Sequence, residues 1–166
     1  MFKIGLGQDS HRIKLKTNKE KIKNNKNLVL GGIKISSDFY AVADSDGDII
    51  IHSVGNALST AIGGGSLNTL AGPMFKKGVT DSKKFLKVIL DKVNKKGFKI
   101  NNIAIMLEGQ RPKLEKHRSK IQQSLARLLN TNKKNIGLAF TTGQDLTIFG
   151  KGQGIQVITT VLLVKK

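Results

Sequence analysis

Cysteine and tryptophan are absent from this sequence. Without thiols the chain can form no disulfide and no thiolate metal site. Any metal must be held by nitrogen and oxygen donors, and only three histidines are available: His11, His52 and His117. No apolar run approaches the roughly 20 residues that cross a bilayer as a helix. The longest, such as Val161 to Val164, are strand-sized. The start, Met1-Phe2-Lys3-Ile4-Gly5, lacks the apolar stretch of a signal peptide. The expectation is a soluble cytoplasmic protein with no membrane partner, or a protein of an organelle stroma if a transit segment was removed.

Acidic residues are scarce, 11 against 29 lysines and arginines, which leaves a net charge of +18. Such a balance suits either a nucleic-acid surface or an anionic small substrate. The lysines are scattered, and side chains suited to base stacking are few. A basic nucleic-acid-binding module is therefore the weaker alternative, resting on charge alone. The excess reads as compositional bias whose field still favours an anionic substrate, with no nucleic acid as partner. The 166 residues fit one domain, 1–166, around one core.

Apolar periodicity alternates between strand and helix. Phe2 to Leu6 reads as a short strand, Lys14 to Asn27 as a lysine- and asparagine-rich surface excursion, and Leu28–Leu30 and Ile33–Ile35 as short strands about a Gly31-Gly32 turn. Ile50, Val54, Ala57, Leu58 and Ala61 recur at helical spacing, with Ser45 or Asp46 as the expected cap. Gly63 to Gly78 reads as a glycine-rich loop. Asp81 to Lys96 has a buried helical stripe, and Pro112 suits the first turn of a further helix carrying Leu114, Ile121 and Leu125. Ile103–Leu107, Asn135–Thr141 and Ile155–Val164 read as strands. The fold class expected is α/β, an α+β sandwich: one mainly four-stranded sheet with helices packed on one face.

Asp9 and His11 are two apart in a strand-like segment, so alternation turns both to one face. His52 lies early on a helix, with Asp48 four residues before it on the same helical face. One carboxylate and two imidazoles are a common ligand set for catalytic zinc, with a fourth position open. Asp48 is placed to hold the other ring nitrogen of His52 by a hydrogen bond. Spacing alone leaves a plain surface or core role open for each histidine.

The wider pattern is more specific. Gly5-Leu6-Gly7-Gln8-Asp9-Ser10-His11 resembles a G-x-G-x-D-x-H motif, Leu30-Gly31-Gly32-Ile33 an L-G-G-V/I segment, and Asp44-Ser45-Asp46-Gly47-Asp48-Ile49-Ile50-Ile51-His52 an H-S-D-G-D-x-x-x-H signature. Asp81-Ser82, Arg111-Pro112-Lys113-Leu114, Thr141-Thr142 and Gly150-Lys151-Gly152-Gln153-Gly154-Ile155 continue the series in order and at near-matching spacing. Together these resemble the 2-C-methyl-D-erythritol 2,4-cyclodiphosphate synthase family over almost the whole chain.

The resemblance implies a cyclising phosphorus–oxygen lyase of the non-mevalonate isoprenoid pathway. The substrate would be 4-diphosphocytidyl-2-C-methyl-D-erythritol 2-phosphate, whose 2-phosphate attacks the β-phosphorus and expels CMP. It implies zinc at Asp9, His11 and His52, and a second magnesium or manganese ion bridging the substrate phosphates. Asp44, Asp48 and Thr142 fall at catalytic positions. Ser45 and Gln144 fall at substrate-binding positions. Gly109, Gln110, Arg111, Pro112 and Lys113 would form the cytidine pocket with Thr141. Lys151, in the G-K-G-x-G segment, would approach the central cavity of a homotrimer with active sites at subunit interfaces.

Three departures stand out. Asp44 replaces a histidine that contacts substrate phosphate, and Gln144 replaces a glutamate that ligates the second ion. A neutral amide binds such a hard cation more weakly. The D-I-G and F-P-D-T-D loop of the family is replaced by the carboxylate-free stretch Gly63 to Gly78. Because the three zinc ligands, Asp48 and the Thr-Thr pair persist, an active synthase is expected, with weak or altered activity as the alternative.

Overall fold

The protein was analysed as a computed structural model, which describes residues 1–16 and 27–166. In chain order its elements are β1 (Phe2–Leu15), β2 (Leu28–Leu30), β3 (Ile33–Ile35), β4 (Phe39–Ala41), α1 (Ile49–Ala61), α2 (Leu67–Lys76), α3 (Ser82–Lys95), β5 (Phe98–Glu108), α4 (Arg118–Leu128), β6 (Ile136–Thr141) and β7 (Gly154–Lys165). Four long or medium strands and the short β4 form a five-stranded sheet in the order β4-β1-β7-β5-β6. All neighbours are antiparallel except β5 and β6, which run parallel. Strands β2 and β3 make a separate hairpin turning at Gly31 and Gly32, both with positive φ. Among the described residues no helix is long and apolar enough to cross a membrane.

The alternation of β7 explains the layering. Ile155, Val157, Thr159, Val161 and Leu163 face the helices and are buried, as are Ile103, Ile105 and Leu107 on β5. Residues of the other parity face away, and Phe2, Ile4, Leu6, Met106 and Ile158 leave that face apolar and exposed. Helix α1 is buried almost all round, with Ile49, Ile50, Ile51, Val54, Ala57 and Leu58 inaccessible to solvent. It lies directly on β1 because β1 offers no side chains there. A Cβ on Gly5 would run into the carbonyl oxygen of Ala57 and lie 2.7 Å from the amide nitrogen of Ala61, and one on Gly7 would overlap the backbone of Ser53 and Ala57. Ser53 fastens the same contact, its hydroxyl lying within hydrogen-bond distance of Gly7 O, Val157 O and Thr159 Oγ1.

Several expectations need correction. The first strand does not end at Leu6 but continues through the Asp-x-His pair to Leu15, sustained by pairing with β7 up to Arg12 and with β4 beyond it. Lys14 and Leu15 are therefore strand, while residues 17–26 lie outside the described residues. The stretch Gly63 to Gly78 is not all loop, since α2 occupies Leu67–Lys76 and Leu67 and Met74 pack with Phe85 of α3. Glycines and Pro73 within it dilute the apolar periodicity. Pro112 follows a cis peptide and precedes the helical turn at Glu115–His117, so it does not open α4. The cap of α1 is Asp48, not Ser45 or Asp46.

Candidate active site

Strand β1 carries Asp9 and His11 on its helix-facing side, and the first turn of α1, pressed onto that side at Gly7, brings His52 beside them. Asp9 Oδ2 lies 3.3 Å from His11 Nε2 and 3.2 Å from His52 Nδ1. One ligand atom from each of the three residues falls within 4.8 Å of the others. The Ser10 amide donates to Asp9 Oδ1 at 2.9 Å, which leaves Oδ2 turned to the imidazoles. Asp9 Oδ2 and His11 Nε2 are buried without a hydrogen-bond partner. Orphaned buried atoms of this kind are costly unless something binds them. Lone pairs converging from one carboxylate and two imidazoles suit a divalent cation, so the residues fit the metal that the sequence implies. Burial alone would raise the Asp9 carboxyl. The nearby His11 and His52 rings outweigh it and hold the group well below the usual carboxylate range.

Asp48 does not support His52 as expected. It is fully buried, and its backbone is non-helical at φ −74° and ψ 85°, so its side chain turns back to cap α1. Oδ1 accepts from the amides of Ile51 (3.0 Å) and Gly31 (2.9 Å), and Oδ2 from that of Gly32. Desolvation raises this carboxyl, against the three backbone donors that favour its ionised form. Asp48 thus ties the β2–β3 turn to the start of α1 and positions the site without facing a substrate. Asp48→Asn would set an amide N–H₂ against a backbone donor. It should cost about 2 kcal/mol, read as a fall in melting temperature of roughly 4–8 °C.

The other expected residues sit at the same end of the sheet. Asp9 and Leu107 both pair with Val157, and Leu107 pairs with Phe140, so the metal ligands and the ends of β5 and β6 share one row. Beyond that row the Gly109 amide donates to Thr141 O at 2.9 Å and the Gln110 amide to Phe149 O at 3.1 Å. This brings Gly109, Gln110, Arg111, Pro112 and Lys113 together with Thr141, Thr142 and the turn at Gly143–Asp145. Gln144 is exposed there with φ 44°. Arg111 crosses Gly152, where a Cβ would lie 2.9 Å from its Nε, and Lys151 is exposed beside it. Asp44 is exposed before α1, and Ser45 Oγ accepts from the Gly47 amide at 3.2 Å. Three residues take roles that the sequence reading did not give them. Glu108 accepts a hydrogen bond from Thr147 and latches the 143–150 loop to β5. Ser82 contacts His52, 30 residues away in the chain, and also Asp46, 36 residues away.

These features define an α/β domain with a candidate metal site beside loops gathered at the ends of two parallel strands. Residues 2–164 match the YgbB family. The 2-C-methyl-D-erythritol 2,4-cyclodiphosphate synthase of Rhodopirellula baltica is 31% identical over 166 residues, covering 99% of this chain and 95% of the relative. That of Chlamydia muridarum is 36% identical over 157 residues, covering 94% and 84%. The solved structure of IspF from Plasmodium falciparum in complex with CDP superposes with a TM-score of 0.84 at 30% identity, covering 99% of this chain and 97% of that one. The chain belongs to the 2-C-methyl-D-erythritol 2,4-cyclodiphosphate synthase family.

Proposed function

We propose that the chain converts 4-diphosphocytidyl-2-C-methyl-D-erythritol 2-phosphate to 2-C-methyl-D-erythritol 2,4-cyclodiphosphate and CMP in the non-mevalonate pathway to isoprenoids. The observation that carries this reading is the convergence of Asp9, His11 and His52, with buried lone pairs left unused, at the sheet end that also gathers Gly109–Lys113 and Thr141-Thr142. Zinc is the divalent ion that best suits this donor set, and when bound it would supply a Lewis acid for a phosphoryl oxygen. The nucleophile belongs to the substrate, so the chain needs none. Its task is to hold two anionic groups together in line. Thr142 would donate its hydroxyl to phosphate, and the amides and carbonyls of Gly109 to Lys113, with Thr141, would read a cytosine edge. The positive field of the chain favours capture of the anion. Asp44 and Gln144 provide weaker phosphate and second-ion contacts than the residues they replace. The exposed apolar sheet face of Phe2, Ile4, Leu6, Met106 and Ile158 supports a homotrimer, in which one subunit's Asp9–His11–His52 cluster meets another's nucleotide segments. The protein would act in the cytoplasm or an organelle stroma.

Zinc-loaded protein incubated with the diphosphocytidyl substrate should release CMP and the cyclic diphosphate in equal amounts. The response to magnesium or manganese should saturate only at high concentration, as Gln144 implies. Absence of CMP under every metal condition defeats the proposal.

A further inference from the structure

The nitrogen of His52 that faces away from Asp9 is not turned to solvent. Its Nε2 lies 2.9 Å from Ser82 Oγ, in a buried contact. Ser82 is the first residue of α3 and has no solvent exposure. Its hydroxyl also contacts Asp46 Oδ1, and its amide donates to Asp46 Oδ2 at 3.1 Å. Asp46 is fixed in turn: its own amide donates to Thr80 O at 3.0 Å, and its Oδ1 accepts from the Asp48 amide at 3.2 Å.

The donor sense of this chain is forced. A carboxylate can only accept, so the single hydroxyl hydrogen of Ser82 goes to Asp46. A lone pair of Ser82 Oγ then faces His52, whose Nε2 must carry the hydrogen. Neutral His52 is thereby held as the tautomer with a bare Nδ1, the nitrogen 3.2 Å from Asp9 Oδ2. Phe85, edge-on with ring centroids 6.4 Å apart, packs against the same imidazole. We propose that Asp46 and Ser82 are positioning residues which, through a carboxylate–hydroxyl–imidazole relay, aim Nδ1 of His52 at the cation of the Asp9–His11–His52 site. This rests on the metal reading above and adds residues to it: groups from the 44–48 loop and from α3 set the affinity of a site whose ligands lie on β1 and α1. The D-S pair at Asp81-Ser82 thereby gains a division of labour, Asp81 capping α3 through the Lys83 amide at 3.0 Å and Ser82 serving the histidine.

The test compares zinc affinity, measured by competition with a chromogenic chelator, in the wild type, Ser82→Ala and Ser82→Thr, together with apoprotein melting temperatures. Ser82→Ala should weaken zinc binding about 10–100-fold, with the apoprotein melting within a few degrees of wild type, and Ser82→Thr should restore most of the affinity. In ¹⁵N NMR of the wild type, His52 should have a protonated, pyrrole-like Nε2. A dissociation constant for Ser82→Ala within twofold of wild type, or a pyridine-like Nε2, overturns the proposal even if Ser82→Ala folds poorly, since the spectrum needs no variant. A wild type that takes up no divalent ion overturns the metal reading itself, and so is distinguishable from failure of the relay alone.

Discussion

His11→Ala should remove tight zinc binding and lower CMP release by roughly 10³-fold or more, because a Lewis acid supplies several kcal/mol of charge stabilisation and each 1.36 kcal/mol is tenfold in rate. Of the three ligands His11 gives the cleanest separation of chemistry from folding. Its side chain is 16% exposed, and its Nε2 has no hydrogen-bond partner. His52, in contrast, is packed against Phe85 and bonded to Ser82, so its removal opens a cavity as well as a coordination position. Removing His11 also takes away an unsatisfied buried nitrogen, which offsets the lost packing, and the apoprotein should melt within about 2 °C of wild type. Chelation and zinc re-addition supply the matching control: the wild type should lose and regain turnover, and the variant should do neither. Full activity in metal-free His11→Ala would place the chemistry elsewhere. Acid should weaken the site in the same sense, because protons compete with the cation for both imidazoles.

The Asp9–His11–His52 cluster was legible because each member sits where a simple periodicity applies. Two residues along a strand return to one face, and β1 is a regular strand at Asp9 and His11. The helix carrying His52 was legible from its apolar repeat. The same reasoning failed at Asp48, four residues earlier, because helical spacing assumes helical backbone. A cap residue has left the helix, and its side chain folds back over the first turn instead of lying beside residue i+4. The partner that His52 does use was invisible for another reason. Ser82 is 30 residues away and meets His52 only because α3 packs across α1, a tertiary fact with no local signature. Helix α2 was hidden by composition, since Gly72 and Pro73 are poor helix formers and tertiary packing of Leu67 and Met74 against Phe85 overrides them. The segments Gly109–Lys113 and Thr141-Thr142 entered through resemblance alone. What joins them is the parallel pairing of β5 and β6, which delivers both chain ends to one edge.

Gly7→Ala should be strongly destabilising. In the motif Gly5-Leu6-Gly7-Gln8-Asp9-Ser10-His11 the glycines do not shape a phosphate loop. Neither has a positive φ, so backbone freedom is not what requires them. They are smooth ground on which α1 rests. A Cβ at position 7 would overlap the carbonyl oxygen of Ser53 and the amide nitrogen of Ala57, backbone atoms of a buried helix that cannot rotate aside as a side chain can. Either α1 lifts from β1 and breaks the Ser53 bonds to Gly7, Val157 and Thr159, or the sheet bends. Overpacking of this kind costs about 3 kcal/mol or more, and a fall of roughly 6–12 °C in melting temperature follows for a domain of this size. The displacement occurs one residue from His52, so zinc affinity should fall together with stability, unlike the selective loss expected for His11→Ala. Gly72→Ala is the control. Its Cβ would meet nothing within 4 Å on α2, and removing glycine from a helix should raise stability by about 0.5–1 kcal/mol. If Gly7→Ala melted like the wild type and kept its zinc, the close seating of α1 on β1 could not be what brings His52 to Asp9 and His11.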